Sequence, residues 1–274
     1  MEDCVRIVQE HYDSDVQKEW DRLDRHPFEF AITTRIMDRY IKPGDRILDI
    51  GGGPGRYSIY YAKKGCNVTL VDLSTENIKF ALEKSKEANV QIKAISGDAR
   101  QVSKLIEGKF DHIFVMGPMY HLLDEKDRTK ALSEAMSLLK NKGLIYVSFI
   151  LMFAGMIFYM KGNPEMLLLE NEQIFIDAVL KGNSYAGDAF TKAFFIDQKN
   201  IIPFMNKFNL EKKHLFGQEG ILAPCELNLL NQPQEAIDKW VSIAEQLCER
   251  EELLSYSEHA MYIGQKDLMI KKIP

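Results

Sequence analysis

Apolar positions along this chain fall into short β-rich runs separated by longer stretches of helical periodicity. Residues 47–50, 67–72, 92–96, 110–116 and 144–150 read as strands. Between them, residues 57–64, 76–86 and 124–139 read as helices, the last carrying Ala131, Leu132, Ala135, Met136 and Leu139 on one face. Before the first strand, residues 28–40 place Phe30, Thr34, Met37 and Ile41 at near-helical spacing. Alternation of strand and helix predicts a parallel sheet covered on both faces. Central parallel strands are buried on both faces and are continuously apolar. Residues 144–160 extend such a run without a charge, close to the lower limit for a membrane span. Ser148, Gly155 and the absence of a basic flank favour a different reading: Gly143 ends a helix, a fifth strand follows, and residues 151–160 leave the sheet as part of a lid.

Beyond the fifth strand, residues 151–197 read as a helical insertion with two helices around 165–181, followed by a helix at 198–208. Its Met152, Phe153, Met156, Phe158, Met160 and Met166 suit either an adaptable pocket or, the better expectation, an ordinary core. Two final strands, 211–218 and 259–265, flank a helix over 234–254. One domain over 1–274 is expected: an N-terminal helical cap (1–40), a core (41–150), the insertion (151–197) and a closing part of the sheet (198–274).

The chemistry concentrates where the first strand ends. Ile47-Leu48-Asp49-Ile50 runs into Gly51-Gly52-Gly53-Pro54-Gly55-Arg56, with a helix behind. Such a turn lets the backbone approach a ligand, and the helix start aims free N–H groups at it. Counted from Gly51, Arg56 stands where the dinucleotide fingerprint needs its third small residue. No Lys-Ser or Lys-Thr follows, so it is not a phosphate-binding P-loop. Asp72 closes the second strand about 20 residues past the first glycine, the distance of a ribose-binding carboxylate in a βαβ unit. Leu73 stands beside Asp72, and Ser74 is placed to cap the next helix. Gly97-Asp98-Ala99 follows the third strand, and Met116-Gly117-Pro118 the fourth, whose carboxyl end lies over the same crevice.

Together these segments resemble the class I S-adenosylmethionine-dependent methyltransferases, strongly over residues 40–150 and by topology alone elsewhere. The resemblance implies a Rossmann-like, seven-stranded, mostly parallel α/β sheet with helices on both faces, an antiparallel last strand and a helical lid insertion. It implies S-adenosylmethionine as cofactor and S-adenosylhomocysteine as product. Cofactor contacts would come from Asp49, Gly51, Gly52, Gly53, Gly55, Asp72, Leu73, Asp98, Ala99, Met116 and Gly117. Methyl transfer is an in-line displacement from an already activated donor, so holding the acceptor in line does most of the work. A base adds about 10²–10⁴-fold only where the acceptor keeps its proton. His121, after strand four, is either that base or a packing residue, and Tyr120 either orients the acceptor or packs. Tyr12, Trp20 and Arg22 are candidates to shape the acceptor pocket, with a docked aromatic stripe as the alternative.

Charge narrows the acceptor. A formal net charge of −5 and an isoelectric point near 5.8 lack the basic field of a nucleic-acid binder. A small-molecule acceptor is expected, ahead of RNA or protein, and ahead of a non-catalytic cofactor-binding subunit. Cys4, Cys66, Cys225 and Cys248 form no C-x-x-C pair, so neither a metal site nor a disulfide framework is expected. The acidic start Met1-Glu2-Asp3 has no signal pattern, and with the cysteines it suggests a cytoplasmic protein without a stable membrane span.

Overall fold

The computed structural model describes residues 2–267; Met1 of the acidic start lies outside them. Four helices lead the chain: α1 (Glu2–Ser14), α2 (Val16–Trp20), α3 (Arg22–Arg25) and α4 (Pro27–Met37). Then β1 (Arg46–Ile50), α5 (Arg56–Lys63), β2 (Asn67–Asp72), α6 (Thr75–Glu87), β3 (Lys93–Ser96), α7 (Val102–Leu105) and β4 (Phe110–Val115) alternate. The short α8 (Pro118–His121) leads to α9 (Glu125–Leu138) and the long β5 (Leu139–Leu151). After it come α10 (Phe153–Gly162), α11 (Gln173–Leu180), the hairpin β6 (Tyr185–Asp188) and β7 (Lys192–Ile196), and α12 (Ile201–Met205). The chain closes with β8 (Leu210–Gly217), α13 (Glu226–Leu229), α14 (Gln234–Leu247) and β9 (His259–Lys266).

Strands β3, β2, β1, β4 and β5 lie side by side in parallel. β9 runs antiparallel to β5, and β8 antiparallel to β9. These seven strands are the expected sheet with its antiparallel last strand. Their residues split into two apolar layers. One holds Ile113, Val115 and Val147 against Leu132 and Ala135 of α9; the other holds Ile47, Phe114 and Tyr146 against Ile32 and Ile36 of α4. Each layer comes from alternate residues of the same strands, as the period of two requires.

The insertion departs from expectation. Of its helices, α10 begins at the sheet and only α11 falls within 165–181. The hairpin β6–β7 adds two strands, so the lid is not purely helical. β7 pairs in parallel with Ile150 and Leu151, and Ile150 also pairs with His259 of β9, so β7 lies on the β4 side of β5. It therefore extends past the end of β4, above the crevice. Gly143 does not end a helix: α9 stops at Leu138 and β5 begins at once, with Lys142 at φ 62° carrying the irregularity. α12 and α14 are each shorter than expected, ending at Met205 and Leu247. The apolar insertion residues also divide: Met152 is buried, whereas Phe153, Phe158 and Met160 are exposed. Among the described residues, no helix is long and apolar enough to cross a membrane.

Candidate cofactor and acceptor site

The carboxyl ends of β1, β2, β4 and β5, with α1, α3 and α4 above them, enclose one cavity. At its cofactor end the glycine turn is forced by its surroundings. Gly51 sits at φ +70°, and a Cβ there would meet Pro118 Cδ at 2.5 Å. A Cβ on Gly52 would overlap the Asp49 carboxylate and the Leu70 side chain. Only glycine therefore lets the turn close over Asp49 and still leave space above it. Asp49 itself is buried and accepts the Ser58 hydroxyl at 2.7 Å. Burial pushes its carboxyl up to about 7, the Asp72 charge adding and Ser58 opposing.

Asp72 braces the loops. One oxygen accepts the Gly53 N–H at 2.8 Å; the other accepts Ser74 N–H at 3.0 Å and the Asn77 amide at 3.1 Å. Burial raises its pKa against those bonds. Ser74 caps α6, accepting the Asn77 N–H at 3.0 Å, so the cap and the carboxylate coexist. Asp98 is clasped by Arg100, with two bonds of 2.6 and 3.0 Å to the same oxygen, and Arg100 also reaches Asp127 at 2.7 Å. Burial opposes ionisation of Asp98, but the guanidinium outweighs it and its pKa falls.

At the opposite end, three separate segments meet on one imidazole. The Nδ1 of His121 lies 3.2 Å from the Lys192 carbonyl in β7, which can only accept. The proton therefore sits on Nδ1, and Nε2 accepts the Tyr12 hydroxyl of α1 at 2.7 Å. Burial drops the His121 pKa to about 4, so the ring is neutral at pH 7. The Tyr120 ring lies 4.8 Å from that of His121, and its hydroxyl has no protein partner among the described residues.

Beside them lies an ion network that sequence reading missed. Arg22 grips Glu29 at 2.5 Å and Glu19 at 3.1 Å. His259 Nδ1 bonds Glu219 at 2.6 Å and stands 3.9 Å from Glu29. The other Glu219 oxygen accepts the Ser257 hydroxyl and the backbone N–H groups of Glu258 and His259. Burial opposes charge on His259, but Glu219 and Glu29 hold its pKa up, to about 9, while His259 and Ser257 keep the Glu219 carboxyl low. Glu29, Glu219 and His259 offer ligand atoms within 4.8 Å of one another, the geometry of a metal cluster. Both carboxylates already have a cationic partner there, Glu29 in Arg22 and Glu219 in the imidazolium.

Asp49, Gly51, Gly52, Gly53, Asp72, Leu73, Asp98, Ala99, Met116 and Gly117 all line the cavity, as do Tyr12, Arg22, Tyr120 and His121. Two expected residues do not. Gly55 starts α5 at φ +87° and faces Ala81 and Leu70, an internal packing position. Trp20 stacks under Arg56, 4.8 Å from its guanidinium, and beside Phe80, outside the lining.

A glycine-cradled nucleotide end on a sheet of this topology defines a class I methyltransferase fold. Residues 47–143 match the family model described as a methyltransferase domain. A glycine/sarcosine N-methyltransferase of Aphanothece halophytica is 35% identical over 101 residues, 36% of this chain and 38% of that one. A ubiquinone biosynthesis O-methyltransferase of Xanthomonas campestris pv. campestris is 33% identical over 113 residues, 41% of this chain and 46% of its own. The chain thus spans less than half the length of both relatives. Magnesium protoporphyrin IX methyltransferase from Synechocystis, solved with bound SAH, superposes with a TM-score of 0.58 at 15% identity, covering 96% of this chain and 100% of that one. That likeness is one of fold.

Proposed function

We propose that this protein transfers a methyl group from S-adenosylmethionine to a small-molecule acceptor. The observation that carries the reading is the cradle: a glycine turn with no room for a Cβ at Gly51 or Gly52, tied through the Gly53 N–H to the Asp72 carboxylate, on the wall of one cavity. The donor set fits the cofactor. Asp72 would accept from the ribose, Asp98 and Ala99 would border the adenine, and Asp49 and Gly51–Gly53 would support the turn; all of them line the cavity. Met116 and Gly117, which line the cavity at the end of β4, would border the methyl-bearing centre. When bound, the cofactor supplies an activated sulfonium methyl.

The remaining work belongs to the chain. Tyr120 and Tyr12 hold the acceptor in line, Arg22 fixes the wall behind it, and α1 with the β6–β7 hairpin keeps water out. His121, neutral and with its lone pair on Nε2, takes the acceptor proton once Tyr12 yields that position. Trp20 serves only as a prop for Arg56 and the cap. An enclosed cavity rather than an open basic groove supports a small acceptor over RNA or protein, in keeping with the small molecules in the relatives' names.

Calorimetric titration with S-adenosylmethionine and S-adenosylhomocysteine, with NAD as control, tests the reading. Micromolar binding of both sulfur ligands and none of NAD is expected. Asp72→Ala removes charge-assisted bonds and should weaken both by about 10–100-fold. A folded protein that binds neither ligand overturns the proposal.

A further inference from the structure

The ion network at the acceptor end leaves one strong donor unspent. His259 opens β9 and pairs with Ile150 at the carboxyl end of β5, away from the β1 and β2 ends that carry the glycine turn and Asp72. It lines the same cavity. Its Nδ1 is committed to Glu219 at 2.6 Å, and its Nε2 has no protein partner among the described residues. The Tyr120 ring stands 6.3 Å away with its hydroxyl also unpartnered. A ring whose counter-ion sits on one nitrogen presents the other as a charged, fixed N–H donor.

The surrounding charges keep it so. Glu219, Glu29 of α4 and the neighbouring Glu258 favour the imidazolium, and Arg22 of α3 opposes it. Lys161 of α10 is paired with Glu258 at 2.6 Å and with Glu226 at 3.0 Å, so the insertion compensates those carboxylates without touching His259. Tyr120, on α8, is held neutral by burial and adds a hydroxyl donor. At Arg22, Glu29, His259 and Glu219 two cations meet two carboxylates, Glu19 adds a third carboxylate on Arg22, and the His259 Nε2–H and the Tyr120 hydroxyl remain as donors without a protein partner among the described residues.

We propose that His259 and Tyr120 form an oxyanion subsite that orients the acceptor through a carboxylate or phenolate oxygen. Its placement rests on the reading above, in which cofactor and acceptor lie side by side in the cavity, and it makes the acceptor an anionic small molecule. His259 is a positioning residue: it fixes where the acceptor sits, while proton removal belongs to His121.

The test uses benzoate as the carboxylate probe, 4-nitrophenolate as the phenolate probe and benzamide as the neutral isostere. Each is titrated into the full chain, with and without S-adenosylhomocysteine, so that failure of the cofactor reading shows separately as absence of S-adenosylhomocysteine binding. At pH 7.5 at least one anion should bind ten-fold or more tighter than benzamide, and which of the two is tighter distinguishes carboxylate from phenolate. That preference should disappear between pH 8 and 10, as the imidazolium loses its proton at about 9. The Nε2 resonance of His259 in ¹⁵N spectra should move on anion addition. His259→Gln should abolish the preference and flatten the pH profile while leaving S-adenosylhomocysteine affinity within about two-fold. Tyr120→Phe, which keeps the ring, should weaken the anion several-fold and serves should His259→Gln not fold. Equal binding of benzoate, 4-nitrophenolate and benzamide, an unmoved Nε2 resonance, or anion binding that depends on added Zn²⁺ held by Glu29, Glu219 and His259, would each overturn the proposal.

Discussion

One cavity has two ends built by different rules. The proposed cofactor end is made of backbone: Gly51, Gly52 and Gly53 at one strand terminus, and Asp72 and Asp98 at the next two, each bound to main-chain N–H groups or a near neighbour. The proposed acceptor end is made of side chains from different elements: Tyr12 on His121, Arg22 on Glu29, and His259 on Glu219. A backbone cradle serves any acceptor, so it suits a shared cofactor. A side-chain network is where specificity can change without disturbing the sheet.

Removing one cation from the acceptor network is the severest way to break this contrast. Arg22→Met leaves the Glu29 carboxylate, whose side chain is 5% exposed, with only His259 at 3.9 Å. Loss of one partner of a buried pair costs about 3–5 kcal/mol, and partial compensation by the imidazolium points to the lower figure. Urea denaturation should show a loss of about 3 kcal/mol, and a loss below about 1 would mean that the network is not structural.

Acid probes the second cluster. With its folded pKa at about 4, below the ordinary histidine value, His121 takes up a proton more readily in the unfolded chain. Stability is therefore lost as pH falls from about 6.5 towards 4, by at most about 3 kcal/mol. The buried Asp49 acts in the opposite direction over part of that range, because its raised pKa favours the folded state as it protonates. The difference between wild type and His121→Asn isolates the histidine: unfolding free energies at pH 7 and 4.5 should converge towards acid. Parallel curves for the two proteins would remove the buried neutral imidazole from the account.

At the cofactor end the corresponding change is in the backbone. Gly51→Ala forces a side chain into φ +70° against Pro118. Strain of about 1–3 kcal/mol should appear as a loss of roughly 10–100-fold in S-adenosylhomocysteine affinity by calorimetry. Unchanged affinity would mean that the turn moves freely and is not the cradle.

The difference between the ends also explains what was legible. Strand order, the glycine turn, Asp72 and Asp98 each follow from a local pattern: an apolar run, a turn residue and a helix start within ten or so positions. Glu29, Glu219 and His259 carry no such pattern. Each is a single polar residue on an otherwise ordinary helix, turn or strand, and only the closure of α4 over β9 brings them together. The insertion was misread for a related reason. α10 buries Ala154, Ile157 and Tyr159 yet exposes Phe153, Phe158 and Met160, so it has no clean polar face to mark it as a helix. The β6–β7 turn at Ala189-Phe190-Thr191 lacks the Asn-Gly type of signal that announces a hairpin.

Trp20 marks the boundary between the two ends and gives the smallest effect. An aromatic beside Arg22 in a segment that covers the cavity invites a ligand-binding role, but its ring lies against Arg56 and Phe80. Arg56 is fixed on its other side by Asp24 at 2.5 Å, and it opens α5 directly behind Gly55. Trp20→Ala thus removes two cation–π contacts, with Arg56 and Lys84, and some packing, about 1 kcal/mol of stability at a partly exposed site. The Asp24–Arg56 pair remains to hold the start of α5, so the glycine turn keeps its shape and cofactor affinity should change by less than about three-fold, a shift of roughly 0.6 kcal/mol. Thermal unfolding and S-adenosylhomocysteine titration on the same variant separate the two quantities. A large loss of affinity with little loss of stability would draw Trp20 into the binding surface and move the boundary between backbone cradle and side-chain network outward to α2.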